Sequence, residues 1–169
     1  ERPAEALAAY QTVVDRFPKS AYSARALHLM SLGYVRAQRW QELVTHVYHH
    51  WDALSPEMRA KYPEVEFWVT EGQLTLGNYD IAEKRYQQYL SAAPDSALTP
   101  YAYLGLAVAQ AQNNKLDTGF QTLQQFASIA KQKNRTDWLA LATLQSGNIF
   151  YNQKKYEQAI GYYRNFQKD

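Results

Sequence analysis

The sequence contains no cysteine. That excludes disulfide bonds, thiol catalysis and zinc–thiolate sites together. Glycine and proline are scarce, at seven and six residues of 169. So few helix breakers among so many helix formers predict a mostly helical chain. Nowhere do apolar and polar residues alternate between turn signals, so no strand is predicted. No apolar run approaches the ~18 residues of a membrane span, so no helical membrane insertion by this segment is expected. A net charge of +2 is too near neutral to imply nucleic acid or an anionic membrane surface. Nucleophile elbows, glycine-rich phosphate loops and dinucleotide fingerprints are missing. No catalytic residue and no cofactor is therefore expected.

What is present suits a soluble folded chain: 46% hydrophobic and 20% charged residues, with tyrosine unusually frequent at 14 copies. The length allows one domain or a short repeat array. The chain opens Glu-Arg-Pro without an initiator methionine and closes on Gln-Lys-Asp. Both ends read as cut, so the expectation is a segment of a longer protein. A mild excess of base lies in residues 115–169.

The chain aligns with itself. In Tyr79-Asp-Ile-Ala82-Glu-Lys-Arg-Tyr86 an aromatic residue is followed by a small one three positions on, and by a second aromatic four later. The frame recurs as Tyr156, Ala159 and Tyr163, as Trp40, Leu43 and Val47, as Leu116, Gly119 and Leu123, and in part as Ala6 and Tyr10. The central positions Ala6, Leu43, Ala82, Gly119 and Ala159 lie 37, 39, 37 and 40 residues apart. Offsets of three and four share one helical face, and a small central residue admits a close neighbour. Upstream of each centre except the first lies a second apolar helix, carrying Met30 and Ser31, Val69 and Thr70, Leu106 and Ala107, or Gly147 and Phe150. Gln38-Arg39, Gly77-Asn78, Asn113-Asn114-Lys115 and Gln153-Lys154-Lys155 read as the turns between paired helices. Ser20, Ser55 before Pro56, and Thr99 before Pro100 read as N-caps. Ser55 to Tyr62 reads as an insertion forming an extra helical turn.

This pattern resembles the tetratricopeptide repeat, on Tyr79, Ala82, Tyr86 and Pro94 and again on Gly147, Tyr156, Ala159 and Tyr163. The resemblance implies an all-α, right-handed superhelical solenoid of about 4.5 antiparallel helix hairpins. Its units would be residues 1–19 (second helix only), 20–54, 63–96, 97–133 and 136–169. The period exceeds the family's usual 34 residues and is similar to that of bacterial envelope members. With the lack of cysteine, this favours the periplasm or cell envelope over the cytoplasm and leaves the compartment open.

In that family the first helices line a concave groove that binds a partner protein. Carried over, the groove would hold Arg25, His28, Leu32, Glu64, Phe67, Glu71, Tyr101, Leu104, Val108, Leu141, Leu144, Asn148 and Tyr151. Its occupant would be a peptide or helix of another protein. The alternative is a structural or spacer segment of a larger envelope assembly or polysaccharide-export protein. Some family members clamp a C-terminal carboxylate with Lys and Asn. The Lys positions here are His28, Phe67, Leu104 and Leu144, and the Asn positions are Leu32, Glu71, Val108 and Asn148, so only Asn148 fits and no clamp is expected. His46 and His50, with Glu42, have a chelating spacing but no evident third ligand, so no metal site is assigned. Lys131, Lys133 and Arg135 beside Trp138 form one basic patch without the recurring residue pair of an RNA-reading repeat. No nucleic-acid partner is assigned.

Overall fold

The computed structural model describes residues 3–166. The expectation that both ends are cut rests on terminal residues, and residues 1–2 and 167–169 lie outside the described ones. Among the described residues there are ten helices and no strand: α1 (Pro3–Arg16), α2 (Ala21–Arg36), α3 (Trp40–Asp52), α4 (Pro56–Arg59), α5 (Pro63–Thr75), α6 (Tyr79–Ala92), α7 (Thr99–Gln112), α8 (Leu116–Gln132), α9 (Thr136–Asn152) and α10 (Tyr156–Phe166). The chain divides into two compact units, one ending at Ile81 and the other beginning at Ala82.

One backbone device ends most of the long helices. Gln38, Gly77, Asn114, Asn134 and Lys154 have φ of 54°, 82°, 60°, 53° and 59°. In each case the next amide bonds back to the carbonyl five residues before it: Arg39 to Tyr34, Asn78 to Gln73, Lys115 to Gln110, Arg135 to Ala130 and Lys155 to Phe150. This left-handed stop satisfies carbonyls that would otherwise be orphaned. Helix starts are less uniform. Ser20 accepts from the Ser23 amide and Ser55 from the Met58 amide, both as the sequence predicts. Thr99 does not cap. It is buried in the first turn of α7, where its hydroxyl donates to the Ala93 carbonyl. Ser96 Oγ accepts from the Leu98 amide instead. The insertion does form a helical turn, α4.

In the first unit α2 lies against α1, α3 and α5, and α3 also lies against α5. Leu27, Met30, Leu43, Val47, Trp51, Val65 and Val69 form its core. The Trp51 indole donates to Glu66 Oε2 at 2.9 Å. Ala6, expected as a small packing residue, is exposed. It lies off the face of α1 that meets α2; Leu7, Tyr10, Val13 and Val14 make that contact. In the second unit α7 lies against α8 and α9, α8 against α9, and α9 against α10. Its apolar core includes one cluster around Leu123 and Ile149 and one around Phe126 and Trp138. Leu43, Ala82, Gly119 and Ala159 are all buried.

Close approaches occur where small residues were expected, and at others besides. A Cβ added at Gly105 would lie 2.4 Å from Tyr86 Cζ, and one at Gly147 would lie 2.5 Å from Tyr163 Cε1. At Gly119 it would lie 2.8 Å from the Ala107 carbonyl oxygen. Gly161, in contrast, has nothing within 4 Å of such an atom. Tyr86 is fully buried and has no room to swing away. Gly105→Ala is thus expected to destabilise the protein by about 1–3 kcal/mol through overpacking. Gly161→Ala should stabilise it by roughly 0.5–1 kcal/mol through helix propensity alone. Denaturant melts of the two variants check both signs.

One charged group is built into the second unit. The Glu83 side chain is 11% exposed, and its Oε2 accepts from Lys115 Nζ at 2.9 Å and Asn113 Nδ2 at 3.0 Å. Burial pushes its pKa up, but the hydrogen bonds from Lys115 and Asn113 and the lysine charge outweigh that and hold it below the usual glutamate range. A depressed carboxylate stabilises the fold above the unfolded value of ~4.3, and that stabilisation is lost as pH falls through the folded value. Thermal midpoints should therefore fall on acidification. Glu83→Gln is expected to lower the midpoint at neutral pH and flatten its fall in acid.

Candidate protein-interaction surface

In the first unit, adjacency of α2 and α5 brings two expected groove residues together. His28 Nδ1 lies 3.0 Å from Glu64 Oε1. The contact is a close approach and not an aligned hydrogen bond, since His28 Nδ1 is buried without a hydrogen-bond partner. The imidazole also packs between Tyr62 and Trp68, with ring centroids 4.7 and 5.7 Å away. Arg25 is exposed, while Leu32 and Glu71 are half-buried. Phe67 is only 7% exposed. Its α5 neighbours Val65, Val69 and Thr70 are also buried, so this helix is enclosed around much of its circumference. Phe67 is a packing residue in this unit and not an open anchor.

In the second unit the corresponding stripes are more open. On α7 the series Tyr101, Leu104, Val108 follows one face, with Tyr101 50% exposed and the other two half-buried. On the adjacent α9 the series Leu141, Leu144, Asn148, Tyr151 does the same, with Tyr151 57% exposed. Leu104 and Leu141 also lean on the Phe126–Trp138 cluster, so the stripe grades into core. Asn148 is positioned by Tyr163, whose hydroxyl donates to Asn148 Oδ1 at 2.9 Å. Tyr151 meets Tyr156 edge-on, at 5.5 Å between centroids. Phe120, Phe150 and Tyr162 form an aromatic stack, with centroids 4.2 Å apart for Phe120 and Phe150 and 5.5 Å for Phe150 and Tyr162.

Sequence reasoning overlooked Tyr62, Trp68 and the polar role of Tyr163. Trp68 had a visible signal, since it adjoins Phe67 and falls four residues after Glu64 on one face. Tyr163 was legible only as a packing aromatic; its bond to Asn148 joins residues fifteen positions apart on two helices.

The other clusters are tied up within the chain. Arg39 Nε donates to Glu42 Oε1 at 2.8 Å, and His46 stacks on Tyr34 with centroids 6.0 Å apart. Among the described residues no group of three or more His, Cys, Asp or Glu is arranged to hold a metal ion. Within the basic patch Arg135 lies 4.4 Å over the Trp138 ring and pairs with Asp137 at 2.6 Å. Lys133 pairs with Asp95. Among the described residues no helix is long and apolar enough to cross a membrane.

Tetratricopeptide-repeat family models match residues 72–133 and 141–169, together more than half of the chain. Among solved structures, a protein described as MamA 41-end from Desulfovibrio magneticus RS-1 is similar, with a TM-score of 0.68. A MamA RS-1 ArsTM double mutant is similar with a TM-score of 0.67. Each is 16% identical, over 98% of this chain and 84% of the other, a level of identity that speaks to the fold alone. No curated protein matches. The tetratricopeptide fold is in general a protein-interaction scaffold rather than an enzyme fold. The helix pairs, their left-handed stops and the matched repeats agree: this chain belongs to the tetratricopeptide-repeat family.

Proposed function

We propose that the protein binds a peptide or helix of another protein on the outer stripes of its first helices. The observation that carries this is the pair of exposed tyrosines on adjacent helices, Tyr101 on α7 and Tyr151 on α9. Half-buried Leu104, Val108 and Leu144 extend the same stripes. Tyrosines offer wide amphipathic contact area with little rotamer entropy to lose. The stripe of the first unit differs in character, with Arg25, His28, Glu64 and Glu71, and suits polar side chains of a ligand. Asn148 offers its amide, oriented by Tyr163, as one fixed hydrogen-bonding group. The long repeat period supports a location in the periplasm or cell envelope of a bacterium.

Peptides selected from a random library against the folded protein provide the probe. Tyr101→Ser combined with Tyr151→Ser should weaken selected peptides by about 10-fold or more, on the scale of aromatic hot spots, without moving the thermal midpoint. Unchanged affinity in that folded variant would reject the face, and a library yielding no binder would favour a spacer role. Amidation of the peptide C-terminus should leave affinity unchanged, because only one Asn and no Lys occupy the clamp positions; a large loss would reveal a carboxylate site. Phe67→Ala belongs to a different class and is expected to cost about 3–5 kcal/mol of stability, as for a buried phenylalanine. Chemical denaturation reads that loss.

A further inference from the structure

His28 joins two helices of the first unit. It lies on α2, with Nδ1 3.0 Å from Glu64 Oε1 in the first turn of α5. Its ring lies between Tyr62, the residue that leads into α5, and Trp68. Both rings are tilted only 31° and 36° from the imidazole plane, so each turns mainly its face toward it. An aromatic face within ~6 Å attracts a cation. Among the described residues no lysine or arginine pairs with Glu64, so a protonated imidazole is the counter-charge that the chain itself supplies. Nδ1 is buried and has no aligned hydrogen bond. A neutral ring with its proton on Nε2 sets a lone pair against the carboxylate. A charged ring turns that contact into attraction, which does not need the alignment that a hydrogen bond needs. The two side chains keep 19% and 29% of their exposure, so pairing them costs only partial desolvation.

We propose that His28 is a proton-controlled latch: protonation of its ring draws Glu64 into an ion pair and fastens the start of α5 to α2. The surroundings of the ring favour this from most sides. α1 meets α2 through Leu7, Tyr10, Val13 and Val14, and α3 turns Leu43, Val47 and Trp51 inward, so both present apolar faces. On α5, Glu66 is taken by the Trp51 indole, and Glu71 lies half-buried two turns beyond Glu64. On α4, which also lies against α2, Glu57 is exposed and bonded to Ser55. The charges of like sign are Arg59 on α4 and Arg25, one turn before His28 on α2 itself. Arg25 is exposed and screened by water. The latch acts without a ligand. It also sets the charge of the first-unit stripe, because Glu64 is balanced in acid and stands uncompensated once the ring loses its proton.

The test is a double-mutant cycle on the whole chain, made of the wild type, His28→Gln, Glu64→Gln and the double variant. Thermal midpoints are read at about pH 5.5 and about pH 8, on either side of the range in which histidine changes charge. The cycle cancels what each residue does alone. It therefore removes the favourable place of Glu64 in the first turn of α5 and the separate acid sensitivity of the Glu83 cluster. The coupling between the two residues is expected to be worth about 2–4 °C at the lower pH and to lie within about 1 °C of zero at the higher. It is present while the ring is charged and lost as pH rises through its titration. Equal coupling at both values would mean a neutral ring bonding through an Nδ1 proton and would overturn the latch. Absence of coupling at both would mean that Arg59, Arg25 and burial keep the ring neutral, and would overturn it too. Should His28→Gln not fold, Glu64→Gln alone decides. Its midpoint must then fall further below the wild type at the lower pH than at the higher, and an equal fall at both rejects the proposal.

Discussion

Backbone approach at a few points governs how these helices stack. Tyr86 lies on Gly105 and Tyr163 on Gly147 at distances that leave no room for a methyl group. An aromatic ring laid on a glycine fills the gap between two helices with one rigid group. It also fixes the depth at which each helix sits, because neither partner can give way in a packed interior. Once the depth is set, the polar groups nearby find partners at definite places. Tyr163 reaches Asn148 because its ring is held over Gly147, and Asn148 thereby gains one orientation. A packing constraint of the second helix thus reaches the stripe on the first helix that is proposed as the binding face.

Such stacking places demands on the ends of helices. A pair of helices crossing at a small residue must reverse direction within two or three residues, and the left-handed stop does so repeatedly. Gly77 and the asparagines at 114 and 134 suit that conformation. Gln38 and Lys154 do not, and they adopt it because the flanking helices hold the turn in place. The Glu83 cluster adds a polar tie at one such turn. Asn113 and Lys115 flank the left-handed Asn114 and both bond to Glu83 from α6. Turn geometry and charge pairing therefore reinforce each other at that point.

This accounts for what could be read from the sequence. The period, the central small residues and the turns are local signals, and the turns read at Gln38, Gly77, Asn114 and Lys154 all adopt the left-handed stop. Thr99 misled because Thr-Pro looks like a cap, whereas the chain before it curls so that the hydroxyl meets the Ala93 carbonyl. Ala6 misled because a small residue at the right interval does not reveal which helix, if any, lies beside it. The pairing of His28 with Glu64 spans two helices and left no local trace.

The groove positions expose a deeper limit of periodicity. Second helices such as α3 and α8 have a clear apolar side and a clear polar side, as expected of helices facing water on one side. First helices are enclosed by their own partner and by neighbouring first helices. On α5 and α7 buried residues occur around most of the circumference. An apolar residue on such a helix can face a neighbour or a ligand with the same sequence signature. Phe67 and Leu104 were indistinguishable on that basis, yet one is enclosed and the other half-open. Only the path of the adjacent helices separates them. The same logic gives weight to Tyr101 and Tyr151, which stay more than half or about half exposed on helices that are otherwise well covered. Exposure of a large aromatic side chain is informative where enclosure is the rule, and that is why the proposed binding face rests on these two residues.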